Sequence, residues 1–294
     1  MAELDSRFHE KNGWSFSRHS LWNQCKRAYF FQYLGLHYIG EKKYDMRSIP
    51  RLKLLNSKIF LKGSLIHDVI KNQIGQHKLG RDPNEESAIN QYVKFVEDKQ
   101  KFVSEFIVES FNGESIEDSF FEDIKTDGIA QIKTFLRIVW PNIKNLDYLI
   151  HEEFEHFKVN DITVTLRPDY VSRSKTGKIV ISDWKTGADN EDYENDLQIA
   201  TYVLWAQEKY AVDPTNIHSE LVYLSTGNMR SYNFNPDELE GYKKLITEDF
   251  KKMNETYDFQ FYTPSPVLRT CNSCRFSKIC KDTKMDYSNS NSSI

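Results

Sequence analysis

The sequence predicts a mixed α/β protein, on two observations. Apolar residues recur at helical spacing through roughly the first half, then alternate strictly from about residue 146 before helical spacing returns near 191. The 294-residue chain, with 39% hydrophobic residues, is long enough to bury a sizeable core, as one large domain or two small ones. The low-complexity end SNSNSSI, residues 288–294, is expected to be a disordered tail.

The elements follow in order. Ser17 is the expected N-cap of a helix through RHSLWNQCKRAYFFQYL, with Gly35 as its stop. A second helix is expected over about 58–79. Asp82-Pro83 opens a helical block of two or three helices to about 145, read as a helical insertion. LDYLIHEEFEHFKV, ITVTLRPDYVSRS and KIVISDWKT then read as three consecutive strands, with turns at Asn160-Asp161 and at 175–178. A helix over EDYENDLQIATYVLWAQEKY, a hairpin around Gly227-Asn228, and a last helix from Asn235-Pro236 to about 256 complete the pattern.

Composition excludes some classes and leaves others open. No apolar run approaches the ~18 residues of a membrane span, so no membrane partner is expected. The start MAELDSRFHEKNGWSF lacks the basic-then-apolar layout of a secretory signal, and a cytoplasmic location is expected. With 39 basic against 43 acidic residues, the net charge of −4 shows no basic excess. An enzyme that brings divalent cations to phosphates can nonetheless be acidic, so charge leaves the partner undecided. Three of the four cysteines fall within ten residues, RTCNSCRFSKIC, and in a reducing compartment such clusters favour metal over disulfides.

Asp183 and Lys185 are two apart in an extended segment, so both face one side of the sheet, and Asp169 on the preceding strand of the hairpin can stand beside them. Two carboxylates at ~4 Å repel unless a cation lies between them. A hard divalent cation would take both as oxygen ligands, with Lys185 placed to orient an attacking water. A lone D-x-K is common by composition and establishes nothing by itself.

Pro168-Asp169 followed by Asp183-Trp184-Lys185 resembles the PD-(D/E)xK signature of the restriction-endonuclease-like nucleases, and Thr186-Gly187 extends it toward the RecB-like branch. Gln198 and Tyr202 resemble that branch's Q-x-x-x-Y motif, and Gly63 to His67 its G-x-x-x-H motif. Cys25, Cys271, Cys274 and Cys280 are similar to the one-before, three-after cysteines of its iron-sulfur members, the AddB-type and CRISPR-associated RecB-like exonucleases.

The resemblance implies a single nuclease domain over residues 1–287 with a restriction-endonuclease-like core: a central mixed β-sheet flanked by helices, with a clasp joining segments 17–35 and 264–282. It implies a metal-dependent DNA nuclease acting as an exonuclease on DNA ends or single strands. His67, Asp169, Asp183 and the Trp184 backbone carbonyl would hold Mg2+ or Mn2+, Lys185 would position water, and Gln198 and Tyr202 would hold the strand. The four cysteines would carry a [4Fe-4S] cluster, with Zn2+ as the alternative. Lys26, Arg27, Arg269, Arg275 and Lys278 would meet the DNA backbone, while Trp14, Phe16 and Tyr29 are read as core before base-stacking residues. A glutamate often precedes the first aspartate in relatives, and either Glu152 or Glu153 could serve. Leu166 stands where many relatives have glycine.

No G-x-x-x-x-G-K-[S/T] loop is present, so a helicase or other DNA-processing partner would be a separate chain. The rival readings are an inactive DNA-binding or assembly module on the same fold, and a zinc-stapled binding protein.

Overall fold

The alternating region folds into two sheets rather than one. The computed structural model describes residues 13–37, 46–189, 193–255, 258–265 and 271–280. Its strands are β1 (Asp147–Ile150), β2 (Glu155–Val159), β3 (Ile162–Leu166), β4 (Tyr170–Arg173), β5 (Ile179–Lys185), β6 (Ile217–Tyr223) and β7 (Asn228–Tyr232). Five of them form the main sheet in the order β1-β4-β5-β6-β7, and β2 pairs with β3 as a separate ribbon. β5 runs antiparallel to β4 and parallel to β6, with Asp183 opposite Leu221 and Lys185 opposite Tyr223. Its near-continuous burial, which includes Ser182 and Asp183, is that of a strand covered on both faces.

Six longer helices surround the sheet: α1 (Phe16–Gln24), α2 (Lys58–Lys78), α3 (Glu85–Gln100), α4 (Asp118–Thr134), α5 (Tyr193–Tyr210) and α6 (Pro236–Met253). α5 is the crossover between parallel β5 and β6, the connection that such a pair requires. α6 starts with a capping box, in which Asn235 and Glu238 satisfy each other's backbone N–H groups. Side chains alternate along β5. Ile179 and Ile181 pack in one core with α5 residues Leu197, Ile199 and Val203, while Trp184 packs in a second with α2 and α4 residues. Each buried isoleucine contributes roughly 1.5–3 kcal/mol.

The helical block expected at 83–145 is built into that second core. Phe135 meets Trp184 edge-on with ring centroids 5.1 Å apart, and Gln131 donates to the Thr186 carbonyl at 3.2 Å. The block therefore forms a layer on the sheet.

The first helix departs from expectation. Its N-cap is Ser15, not Ser17: the Ser15 hydroxyl accepts from the Arg18 N–H at 3.3 Å, whereas Ser17 lies inside α1. The helix also stops at Gln24 instead of running to Gly35. Cys25 is extended, with φ −163°, and its carbonyl starts a second helical turn by accepting from Tyr29. Trp14 and Tyr29 are buried and Phe16 is half-buried against the core, in line with the core reading of all three. The Trp14 indole N–H donates to Asp249 on α6 at 2.7 Å, tying the start of the described chain to that helix.

Two of the three expected long strands are broken at one corner. LDYLIHEEFEHFKV splits into β1 and β2, and ITVTLRPDYVSRS splits into β3 and β4. Glu152 has φ +50°, a left-handed conformation that no strand accommodates, and Pro168 has no N–H for a ladder. The Glu152 N–H donates to the Pro168 carbonyl at 3.0 Å, so the two breaks are joined. Leu166, in contrast, is an ordinary buried strand residue with no left-handed backbone that would call for glycine. The expected tail at 288–294, Arg269 and part of the 264–282 segment lie outside the described residues.

Candidate active site

The corner gathers the site. β1 leads into Glu152, Pro168 precedes Asp169 at the entrance to β4, and α2 brings His67 over both. His67 Nδ1 lies 3.1 Å from Glu152 Oε1 and 3.3 Å from Asp169 Oδ1, and the three ligand atoms all lie within 4.8 Å of one another. The Trp184 backbone N–H donates to Asp169 Oδ2 at 2.9 Å, fastening the first aspartate to the strand that carries the second. The Trp184 indole points the other way, into the core.

Between Glu152 and Glu153 the structure selects Glu152. Glu152 is buried and Glu153 is exposed, the chain turning outward after the left-handed residue. No sequence signal separates the two, because the choice depends on the left-handed turn at Glu152.

Helix α2 reaches the corner because Gly63 lets it approach. A Cβ on Gly63 would stand 2.8 Å from Thr186 Oγ1, just past the end of β5. His67 is one turn further along the same helix face.

Asp183, Lys185, Gln198 and Tyr202 form one connected group. Lys185 Nζ lies 2.7 Å from Asp183 Oδ2, outside hydrogen-bond direction, and that buried oxygen accepts no hydrogen bond among the described residues. Lys185 also donates to Gln198 Oε1. The Gln198 amide donates to the Tyr202 hydroxyl at 2.9 Å, and the hydroxyl donates to Asp183 Oδ1 at 3.1 Å. The i, i+4 pair expected to hold a strand is thus turned onto the sheet, and Tyr202 is only 4% exposed. Sequence spacing places both on one helix face but does not say what that face meets.

The charged groups at the corner are coupled through burial and close approach. Burial would pull the His67 imidazole down, but Asp169 and Glu152 outweigh it and hold His67 up at about 10. Burial pushes the Asp169 carboxyl up, His67 opposes, and the charges of Asp183 and Glu152 add to the rise, leaving it at about 6. Burial raises Glu152 as well, but hydrogen bonding and charge from His67, with Arg167, win and hold it below the usual range. The Tyr202 hydroxyl is driven well above its ordinary value by burial, then by the charges of Asp183 and Asp169, so it stays a donor.

The four cysteines line one cavity of about 520 Å³, Cys25 from the helix junction and Cys271, Cys274 and Cys280 from the C-terminal segment. No three of their sulfur atoms lie within 4.8 Å of one another. Burial lifts the Cys274 thiol to about 11; the Phe276 N–H, 3.4 Å from its sulfur, opposes this, and the other three cysteines add to it.

Arg27, expected at the DNA backbone, is buried instead. Its Nε donates to the Tyr262 carbonyl at 2.6 Å and its guanidinium covers Phe259. Arg275 donates to the Lys53 carbonyl at 2.8 Å, Lys26 lies over Trp22 and Phe261, and Lys278 lies over Phe111. These cations brace the cysteine-bearing segments.

A central antiparallel pair that delivers two aspartates and a lysine to one sheet end defines a class, the metal-dependent nucleases built on a restriction-endonuclease-like core. The family model of the PD-(D/E)XK nuclease superfamily matches residues 13–281, and the chain belongs to that superfamily. No curated protein matches it significantly. Among solved structures 19 chains match. One, "Crystal structure of SSO0001", is 15% identical, with 67% of this chain and 98% of that chain covered and a TM-score of 0.33. No helix among the described residues is long and apolar enough to cross a membrane.

Proposed function

We propose that this protein is a Mg2+- or Mn2+-dependent deoxyribonuclease that hydrolyses phosphodiester bonds, acting as an exonuclease on DNA ends or single strands. The observation that carries the reading is the His67, Glu152 and Asp169 cluster set against an Asp183 oxygen that is buried without a hydrogen bond. Hard oxygen donors with one imidazole suit a divalent cation, and the Asp183 oxygen, which is ion-paired with Lys185 at 2.7 Å but accepts no hydrogen bond among the described residues, keeps a lone pair such a cation would take. His67, Asp169, Asp183 and the Trp184 carbonyl are the proposed ligands, and Glu152 joins them on its geometry. When bound, the cation neutralises charge on the scissile phosphate and acidifies water.

The chain's own residues do the rest. Lys185, anchored by Asp183 and Gln198, would position the attacking water by donating a hydrogen bond to its oxygen. Tyr202 and Gln198 hold Asp183 and Lys185 in place. The Trp184 N–H keeps one Asp169 oxygen turned toward β5, which leaves the other toward His67.

The cysteine cavity is the proposed seat of a [4Fe-4S] cluster. Four ligands on one tetrahedral zinc would bring sulfurs to about 3.8 Å, given Zn–S bonds of about 2.3 Å. Four thiolates around one cavity would suit either group, and the resemblance to iron-sulfur relatives favours the cluster. All four cysteines are free, which suits a reducing compartment such as the cytoplasm.

The deciding experiment is cleavage of single- and double-stranded DNA with Mg2+, with Mn2+ and with chelator. Cleavage that survives complete chelation, or no cleavage with either ion, would refute the reading.

A further inference from the structure

Phe154 is 70% exposed although the corner beside it is closely packed. It lies two residues beyond Glu152, where the strand pair leaves the main sheet. The Arg167 guanidinium carbon stands 5.5 Å from the centre of its ring. Arg167 Nε is in turn 3.0 Å from Glu152 Oε2, while the other Glu152 oxygen meets His67. A continuous series of contacts therefore runs from the metal-ligand cluster, through a guanidinium, to an exposed aromatic ring. No further hydrogen bond of the Arg167 side chain is found among the described residues, and the side chain is 47% exposed.

We propose that Phe154 and Arg167 form a stacking subsite for one unpaired base next to the cleaved phosphate. This inference rests on the DNA-nuclease reading and adds how that site chooses its substrate. An aromatic ring with a cation on one face and solvent on the other presents its open face to a second flat partner. Arg167 is fixed in place by the Glu152 carboxylate, so it holds the ring without folding onto it, and its remaining N–H groups point a phosphate toward the cluster. Bases inside a duplex already stack on their neighbours and offer no free face. A base in a single strand or at a frayed end does. The occupant is accordingly an unpaired deoxynucleotide, recognised by its π-face without regard to sequence.

The test compares wild type, Phe154→Ala and Phe154→Trp on a single-stranded oligodeoxynucleotide and its blunt duplex with Mn2+. Binding is followed separately by quenching of 2-aminopurine placed at successive positions, with chelator present. The ring is on the surface, so the variants should fold, and unchanged melting temperatures verify it. Loss of a stacking partner should raise KM for the single strand roughly tenfold with kcat nearly unchanged. Phe154→Trp should restore KM and the quench. An unchanged KM in Phe154→Ala, on a strand that wild type cuts, overturns the subsite. If wild type cuts no DNA, the nuclease reading fails on its own. The quench then still decides, and equal quenching by wild type and Phe154→Ala overturns the subsite.

Discussion

Gly63 and Thr186 meet so closely that a single added methyl would fall 2.8 Å from the threonine hydroxyl oxygen. This contact sets the height of α2 above the end of β5, and so the position of His67. In Gly63→Ala, divalent-ion affinity should fall although alanine favours the helix by about 1 kcal/mol. Adding Thr186→Ala should return the affinity and reveal that gain in stability. Additive effects in this double-mutant cycle would show that the contact does not position His67.

His67 gives the site a pH dependence whose sign is set by its two carboxylate neighbours. In the metal-free protein its pKa of about 10 lies above the unfolded value of about 6.5. The stabilisation from protonated His67 is complete below about pH 6.5 and is lost as pH rises through about 10. A cation requires the neutral imidazole, so near pH 8 binding should release about one proton and tighten as pH rises. Calorimetry in two buffers of different ionisation heat counts that proton, and none released would place His67 outside the ligand set.

Lys185→Ala should lower kcat by roughly 10²- to 10⁴-fold, as loss of a positioned proton-handling group does. The circular dichroism spectrum should be unchanged, because Lys185 is partly exposed at the end of β5. Full activity in this variant removes it from the mechanism.

Tyr202→Phe separates support of the carboxylate from grip on the strand. Its hydroxyl is buried on Asp183, so removal should cost about 1–2 kcal/mol of stability and reduce kcat. KM should not move. A raised KM with kcat intact would show that Tyr202 touches DNA after all.

Any one of Cys25→Ala, Cys271→Ala, Cys274→Ala or Cys280→Ala should abolish iron binding and lower the melting temperature. A cluster held by all four would close a loop between the first helices and the last described segment, so its loss would free both ends. With the Cys274 thiol held up at about 11, loading displaces a proton and should weaken as pH falls. Protein prepared without oxygen should be brown, and zinc in place of iron by elemental analysis would overturn the cluster assignment.

Sequence by itself determined the parts that depend on local spacing. Alternation marked β5 and β6, helical periodicity marked α2, α5 and α6, and Asn235-Pro236 marked a helix start, because each rests on backbone geometry within a few residues. The motif residues Asp169, Asp183 and Lys185 were legible for the same reason: a hairpin and a period of two suffice to bring them together. Where chain segments far apart in sequence meet was set by packing in three dimensions. The break at Glu152 and Pro168, the choice of Glu152 over Glu153, and the inward turn of Gln198 and Tyr202 come from packing between elements. So does the burial of Arg27, a residue whose charge suggested the surface. A corner in two paired strands forms only when each supplies half of it, and no single segment carries that information.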